Sequence, residues 1–125
     1  MASHSNDGDG TTIGNLQIVP AVDYGAQPLT TERIVSGGSI PQVAHTFAYY
    51  TKVGGYASMN EHQVGLAEST CVAVFEGNRS AGASLNIVDL SALGLERANT
   101  SRAAVLTMGA LAEQHGYYDA GESLL

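Results

Sequence analysis

The sequence predicts an α+β fold, with residues 1–125 forming a single partial domain. Residue patterns typical of strands extend from about residue 13 to about residue 75. From about residue 85 to about residue 115 the apolar residues have helical spacing instead. Strands that precede helices, instead of alternating with them, are typical of α+β folds. The chain is 44% hydrophobic and 14% charged. It is therefore apolar enough to bury a core, and its low charge excludes a charge-driven disordered segment.

The first half contains four strand candidates. The apolar residues of 13–19 end at Pro20, which cannot donate to a sheet ladder. Residues 32–36 form a short candidate before a Gly-Gly turn, and residues 43–51 are rich in β-branched and aromatic types. From Val64 onward, apolar residues alternate with small ones. These four segments predict the sheet.

Helical spacing predicts two apolar helix faces in the second half. The face of the first helix comprises Leu85, Val88, Ala92 and Leu95. The face of the second comprises Ala104, Val105, Met108, Leu111 and Ala112. Asn99 or Thr100 can cap the second helix, His115 lies in its last turn, and Gly116 is the residue type that ends helices.

The charge balance argues against nucleic acid and anionic membranes as partners. The chain has 12 acidic and 5 basic residues, for a net charge of −7. The basic residues are scattered singly, at Arg33, Lys52, Arg79, Arg97 and Arg102. No patch could therefore follow a phosphate backbone or an anionic lipid surface. No apolar run approaches the roughly 20 residues of a membrane helix, and the start has no signal-peptide pattern.

Cys71 is the single cysteine of the chain, so no internal disulfide can form. Its apolar surroundings favour a structural thiol over a reactive one. One unpaired cysteine is compatible with a reducing compartment, which favours the cytoplasm without establishing it.

Neither a metal nor a cofactor is predicted. Ser5, Asp7, Asp9 and Gly10 have the spacing of a calcium loop, but Leu16 falls where the bidentate glutamate should be, so a solvated turn is favoured. The histidines have no His or Cys neighbour at zinc-ligand spacing; they are His45, His62 and His115.

The run Asn60-Glu61-His62-Gln63 is the most unusual segment, because it places amides and a carboxylate at the mouth of a strand of small residues. The Asn60 side-chain N–H could stabilise an oxyanion there. A hairpin turn containing an asparagine is an equally good interpretation.

Four blocks of the chain resemble, in family order, the secernin-like cysteine dipeptidases, which are N-terminal-nucleophile hydrolases. The blocks are residues 3–8 (SHSNDG), 40–49 (IPQVAHTFAY), 59–71 (MNEHQVGLAESTC) and 93–98 (LGLERA). They span nearly the whole chain. The resemblance implies that this chain is part of an αββα sandwich that hydrolyses the peptide bonds of short peptides.

The resemblance also implies the roles of particular residues. In this class an N-terminal cysteine attacks the amide carbonyl, and its own α-amino group, with a pKa near 7.7–8.0, is the base. Asp7 fits the position of the aspartate that orients the nucleophile. Asn60 matches the asparagine that helps to form the oxyanion hole, and it is also expected to bind substrate. His4 stands where relatives often carry an arginine and is the other expected substrate-binding residue.

The chain departs from the family pattern at both ends. It begins inside the SHSND loop without the nucleophilic cysteine, and family members continue well beyond residue 125. We therefore expect an N-terminal fragment, catalytically inactive alone, that binds short peptides if completed. The alternative is an inactive binding or assembly piece. In either case, open sheet edges favour self-association.

Overall fold

The computed structural model of the chain describes residues 16–25, 31–33, 39–52, 57–71, 82, 84–119 and 121–124. Within these ranges the chain forms nine strands and two helices. In chain order these elements are β1 (Leu16–Val19), β2 (Val22–Asp23), β3 (Thr31–Arg33), β4 (Ser39–Pro41), β5 (His45–Thr46), β6 (Tyr49–Lys52), β7 (Ala57–Asn60), β8 (Gly65–Cys71), α1 (Ile87–Arg97), α2 (Ser101–His115) and β9 (Gly121–Leu124).

The main layer is an antiparallel five-stranded sheet with the order β1-β6-β7-β8-β9. Two short antiparallel ladders, β2–β5 and β3–β4, accompany it. The mixed architecture of antiparallel strands followed by two helices confirms the predicted α+β class. The strands are not confined to residues of about 13–75, however. Gly121–Leu124 returns after the helices and pairs with β8.

The predicted strand over residues 43–51 is interrupted. Strand β5 ends at Thr46 and β6 begins at Tyr49. Between them, the Phe47 N–H donates to the Glu96 carbonyl at 2.8 Å, and the Ala48 N–H donates to a carboxylate oxygen of Glu61 at 2.8 Å. The main chain leaves the ladder at this point because its hydrogen-bond partners lie on α1 and on the β7–β8 turn.

The helix boundaries follow from their caps. The Asn86 side chain accepts from the Asp89 N–H at 2.8 Å at the start of α1, and the Thr100 hydroxyl accepts from the Ala103 N–H at 3.2 Å at the start of α2. Gly116 ends α2 at φ +76° and donates to the Ala112 carbonyl at 2.9 Å. The predictions for Thr100, His115 and Gly116 are confirmed.

The predicted helix faces are partly wrong. Leu85 precedes α1 and bridges to Tyr117, so the predicted spacing starts outside the helix. Leu95 is buried as predicted, but Val88 is 47% exposed, and Leu90 and Leu93 are buried although they were not predicted to be. In α2, Ala104, Met108 and Leu111 are buried as predicted, whereas Val105 is 59% exposed.

The core lies between the helices and one face of the sheet. Directly paired residues of an antiparallel sheet share a face. Buried Leu66 and Asn60 therefore define the helix-covered face, whereas Ile18 and Tyr50, which pair with each other, lie on the opposite face. The packed cluster comprises Ile40, Val64, Leu66, Leu85, Leu90, Leu93, Leu95, Ala98, Ala104, Met108 and Leu111.

The opposite face of the sheet is apolar and open. Ile18 is 73% exposed, and Leu16 and Tyr50 are also exposed. We call the face that carries these three residues the open face. Neither helix of the described chain is long and apolar enough to cross a membrane.

Candidate functional site at the Asn60 turn

The predicted site residues fall into two groups. Asp7 and His4 lie outside the described residues, as does the segment considered as a calcium loop. Asn60 is the last residue of β7, where the chain turns toward β8. The candidate site is therefore built around Asn60 and the three residues that follow it.

Asn60 is 5% exposed, and its side chain makes four hydrogen bonds to the main chain. The amide nitrogen donates to the Leu95 carbonyl at 2.9 Å and to the Ala98 carbonyl at 2.7 Å. The amide oxygen accepts from the N–H groups of His62 and Val64, both at 3.0 Å. Because the partners are two carbonyls and two N–H groups, they fix which end of the amide is oxygen.

This bonding makes Asn60 a clamp between the turn and the end of α1. Its oxygen holds the turn closed, and its nitrogen satisfies carbonyls at the end of the helix that have no intrahelical partner. An amide nitrogen carries two hydrogens, and both are used here. For Asn60 to contact an oxyanion through its side chain, one of these bonds has to open.

The turn itself is a tight reversal. The Asn60 N–H donates to the Val64 carbonyl at 3.0 Å, and the Gln63 N–H donates to the Asn60 carbonyl at 2.9 Å. Gln63 adopts φ +62°, a conformation that residues other than glycine and asparagine seldom occupy. The hairpin-turn interpretation of the run therefore describes the backbone at this site.

Glu61 contacts Ala48, and the sequence did not predict this contact. Its N–H donates to the Ala48 carbonyl at 2.9 Å, while its carboxylate accepts from the Ala48 N–H at 2.8 Å. The turn is thus tied to α1 through Asn60 and to the β5–β6 connection through Glu61. No local sequence pattern predicts this contact, because Ala48 lies just before β6 and Glu61 just after β7, 13 positions later in the chain.

Three rings line the surface beside the turn. The ring centroids of Phe47 and His62 are 4.4 Å apart, and those of His45 and Phe47 are 5.2 Å apart, both in edge-to-face geometry. The His45 Nδ1 lies 2.5 Å from a carboxylate oxygen of Asp23. This contact joins β2 to β5 at a position where both side chains are solvent-exposed.

The three histidines considered as metal ligands lie apart, in different surroundings. His45 faces Asp23, His62 faces Phe47, and His115 lies at the end of α2, where its carbonyl accepts from Ser84. The described residues contain no group of three or more His, Cys, Asp or Glu side chains suited to a metal ion. Cys71 pairs through its backbone position with Gly121, at the end of β8.

The site is therefore a rigid polar turn beside a strip of aromatic rings. Glu61, His62 and Gln63 are its exposed members, and Asn60 is the buried one. No protein-family model, curated protein or solved structure matches this chain.

Proposed function

We propose that this chain is the first part of the catalytic domain of a cysteine dipeptidase of the secernin-like kind, which hydrolyses the peptide bonds of short peptides. The observation that carries the proposal is the Asn60–Gln63 run. It stands in the family's sequence order and forms a hydrogen-bonded turn between β7 and β8, in a sheet whose described helices both lie on one face.

The proposal extends to the αββα sandwich. Leu16, Ile18 and Tyr50 leave an apolar surface on the open face, and two sheets commonly pack face to face about 10 Å apart through such surfaces. A second sheet from a longer form of the protein would cover these side chains and complete the inner two layers, with α1 and α2 as the first outer layer.

The chemistry follows from the resemblance. The thiol of an N-terminal cysteine transfers its proton to its own α-amino group and attacks the carbonyl carbon of the peptide bond. The acyl-enzyme forms, the amine of the leaving amino acid takes the proton, and water then releases the acyl group. Asp7 orients the nucleophile in this proposal, and His4 contacts the substrate.

Asn60 has one of two roles in the proposed hydrolysis. It either opens one of its bonds to Leu95 or Ala98 and donates to the oxyanion, or it keeps all four bonds and holds the turn in place for donors elsewhere. The second route requires no rearrangement. It makes Asn60 a positioning residue.

The alternative is a binding or assembly piece without catalysis. The observation that favours it is the complete use of the Asn60 side chain by the main chain, which leaves this amide no free hydrogen for a substrate. The only cysteine of the 125 residues, Cys71, lies in a different sequence block from the expected nucleophile.

The first test is N-terminal sequencing and intact mass of the protein isolated from its native source. The proposal expects a mature terminal cysteine ahead of the Ser3-His4-Ser5 segment and a mass far above 12.9 kDa. A start at Ala2 with a mass near 12.9 kDa would establish the alternative.

The second test is thiol alkylation of the native protein during dipeptide hydrolysis. We expect inactivation to track modification of the N-terminal cysteine, and a Cys71→Ser variant, which removes the one thiol of this sequence, to keep both its activity and its sensitivity to alkylation. Loss of hydrolysis in a Cys71→Ser variant that remains folded would place the nucleophile at Cys71 and refute the assignment.

A further inference from the structure

The side of α2 that points away from the core is apolar at its centre and charged at its ends. Leu106 is 61% exposed and Val105 is 59% exposed. A shallow groove of about 330 Å³ adjoins them, lined by Ser101, Arg102, Val105 and Leu106. We call this side the α2 outer face. Its central part, between exposed Ser101 and Gln114, comprises six exposed residues: Arg102, Val105, Leu106, Gly109, Ala110 and Glu113.

These six residues share one side of the helix because they recur at intervals of three and four. The buried residues Ala104, Met108 and Leu111 lie on the other side, against the core. The α2 outer face is therefore a continuous stripe, and nothing in the described chain packs over Gly109, where an added Cβ would meet no atom within 4 Å.

We propose that the α2 outer face binds the same face of a second copy of this chain, with the two helices antiparallel. A two-fold axis between positions 107 and 108 places Arg102 opposite the partner's Glu113. It also lays Val105 and Leu106 over the partner's Gly109 and Ala110. Large side chains thus meet small ones, which allows close approach of the two helices.

The charges support a second copy as the occupant. Arg102 lies in the first turn of α2 and Glu113 in the last, so each opposes the dipole of its own helix. Residues of opposite sign are favourable at those ends. An antiparallel partner supplies them, since its Glu113 lies near the start of this α2 and its Arg102 near the end.

The size of the face predicts a weak dimer. Residues 102–113 span only about 16 Å at 1.5 Å per residue, so the contact is smaller than the roughly 800 Å² per partner of a standard interface. We therefore expect a concentration-dependent equilibrium, in contrast to a permanent dimer.

Sedimentation equilibrium of the 125-residue chain over a wide concentration range tests the proposal. The mass should rise from 12.9 kDa toward twice that value as concentration increases. Leu106→Glu should abolish the rise, because it places two carboxylates, one from each copy, in the centre of the two-helix contact. Circular dichroism checks that the variant is folded, which its exposed position favours.

Charge reversal provides the sharper variants. Arg102→Glu and Glu113→Arg should each weaken dimerisation about tenfold, because each replaces two attractive contacts by two repulsive ones. The double variant Arg102→Glu/Glu113→Arg should restore it. Ile18→Ser, on the open face, is the matched control and should leave the equilibrium unchanged.

Three results would overturn the proposal. They are a chain that stays monomeric at every concentration, association that survives both Leu106→Glu and the single charge reversals, and association that Ile18→Ser removes. The last result would assign self-association to the sheet. None of these outcomes depends on hydrolytic activity, so the test is independent of the proposed function.

Discussion

At the scale of single residues, Asn60 determines the geometry of the candidate site. Two of its four hydrogen bonds close the turn after β7, and the other two join that turn to the end of α1, across 35 and 38 positions of sequence. A buried donor or acceptor that loses its partner costs about 1–3 kcal/mol. The clamp therefore matters to stability whether or not Asn60 takes part in catalysis.

We expect Asn60→Ala to lower the free energy of unfolding by about 3 kcal/mol or more, because it leaves two carbonyls and two N–H groups without partners. Urea denaturation at low protein concentration measures the loss. The matched control is Asn99→Ala, at an exposed position beside the Thr100 cap, where a change within about 0.5 kcal/mol is expected. Equal effects of the two substitutions would contradict the clamp.

At the scale of elements, the two helices meet at a glycine. A Cβ at Gly94 would lie 2.8 Å from the Met108 sulfur and 2.9 Å from its Cγ, so α1 and α2 approach each other closely at this position. Gly109 lies on the exposed side of α2 with open space around it. The two glycines therefore provide opposite environments for the same substitution.

Gly109→Ala should raise the free energy of unfolding by about 0.5–1 kcal/mol, because alanine favours the helix and meets no neighbour. Gly94→Ala should lower it despite the same propensity gain, since Met108 has to move within a packed core. Thermal denaturation of dilute samples compares the two variants. A gain of similar size from Gly94→Ala would show that the helices do not pack as described.

The elements also show how far the sequence predicts this fold. The bounds of α2 were predictable because Thr100 and Gly116 act through their immediate neighbours. The face of α1 was assigned only in part: Leu85 and Leu95 are buried as predicted, but Leu85 precedes the helix and Val88 is exposed. Strand β9 was missed because its pairing with β8 depends on contacts distant in sequence.

The candidate site, too, was predictable only where its interactions are local in sequence. The turn at Asn60 was an open interpretation of the sequence, since asparagine commonly occupies turns. Its bonds to the Leu95 and Ala98 carbonyls, and the contact of Glu61 with Ala48, join segments whose proximity no local pattern encodes.

At the scale of the whole molecule, large apolar side chains are exposed on the open face as well as on the α2 outer face. Leu16 and Ile18 lie on β1, at an edge of the sheet, and are exposed despite their size. Apolar surface of this kind marks a site where another layer or molecule binds, and it is an aggregation hazard when uncovered.

The variant Leu16→Thr/Ile18→Thr should bind less of the fluorescent apolar probe ANS and remain soluble at higher concentration, while its free energy of unfolding changes by less than about 1 kcal/mol. Threonine is a β-branched residue of the kind that strands favour, and neither Leu16 nor Ile18 contributes to the described core. Probe fluorescence and urea denaturation measure the two effects. A large loss of stability would contradict the exposure of these side chains.

The pairing of β8 with β9 has a consequence for biosynthesis. Residues 72–120, which include both helices, separate two strands that are neighbours in the sheet. The ribosome therefore delivers β9 only after the helices have emerged, and closing so long a loop is a late event in folding. Until then the edge of β8, the longest strand of the described chain, lacks its β9 partner, so the nascent chain is vulnerable to wrong strand partners before residues 121–124 leave the exit tunnel.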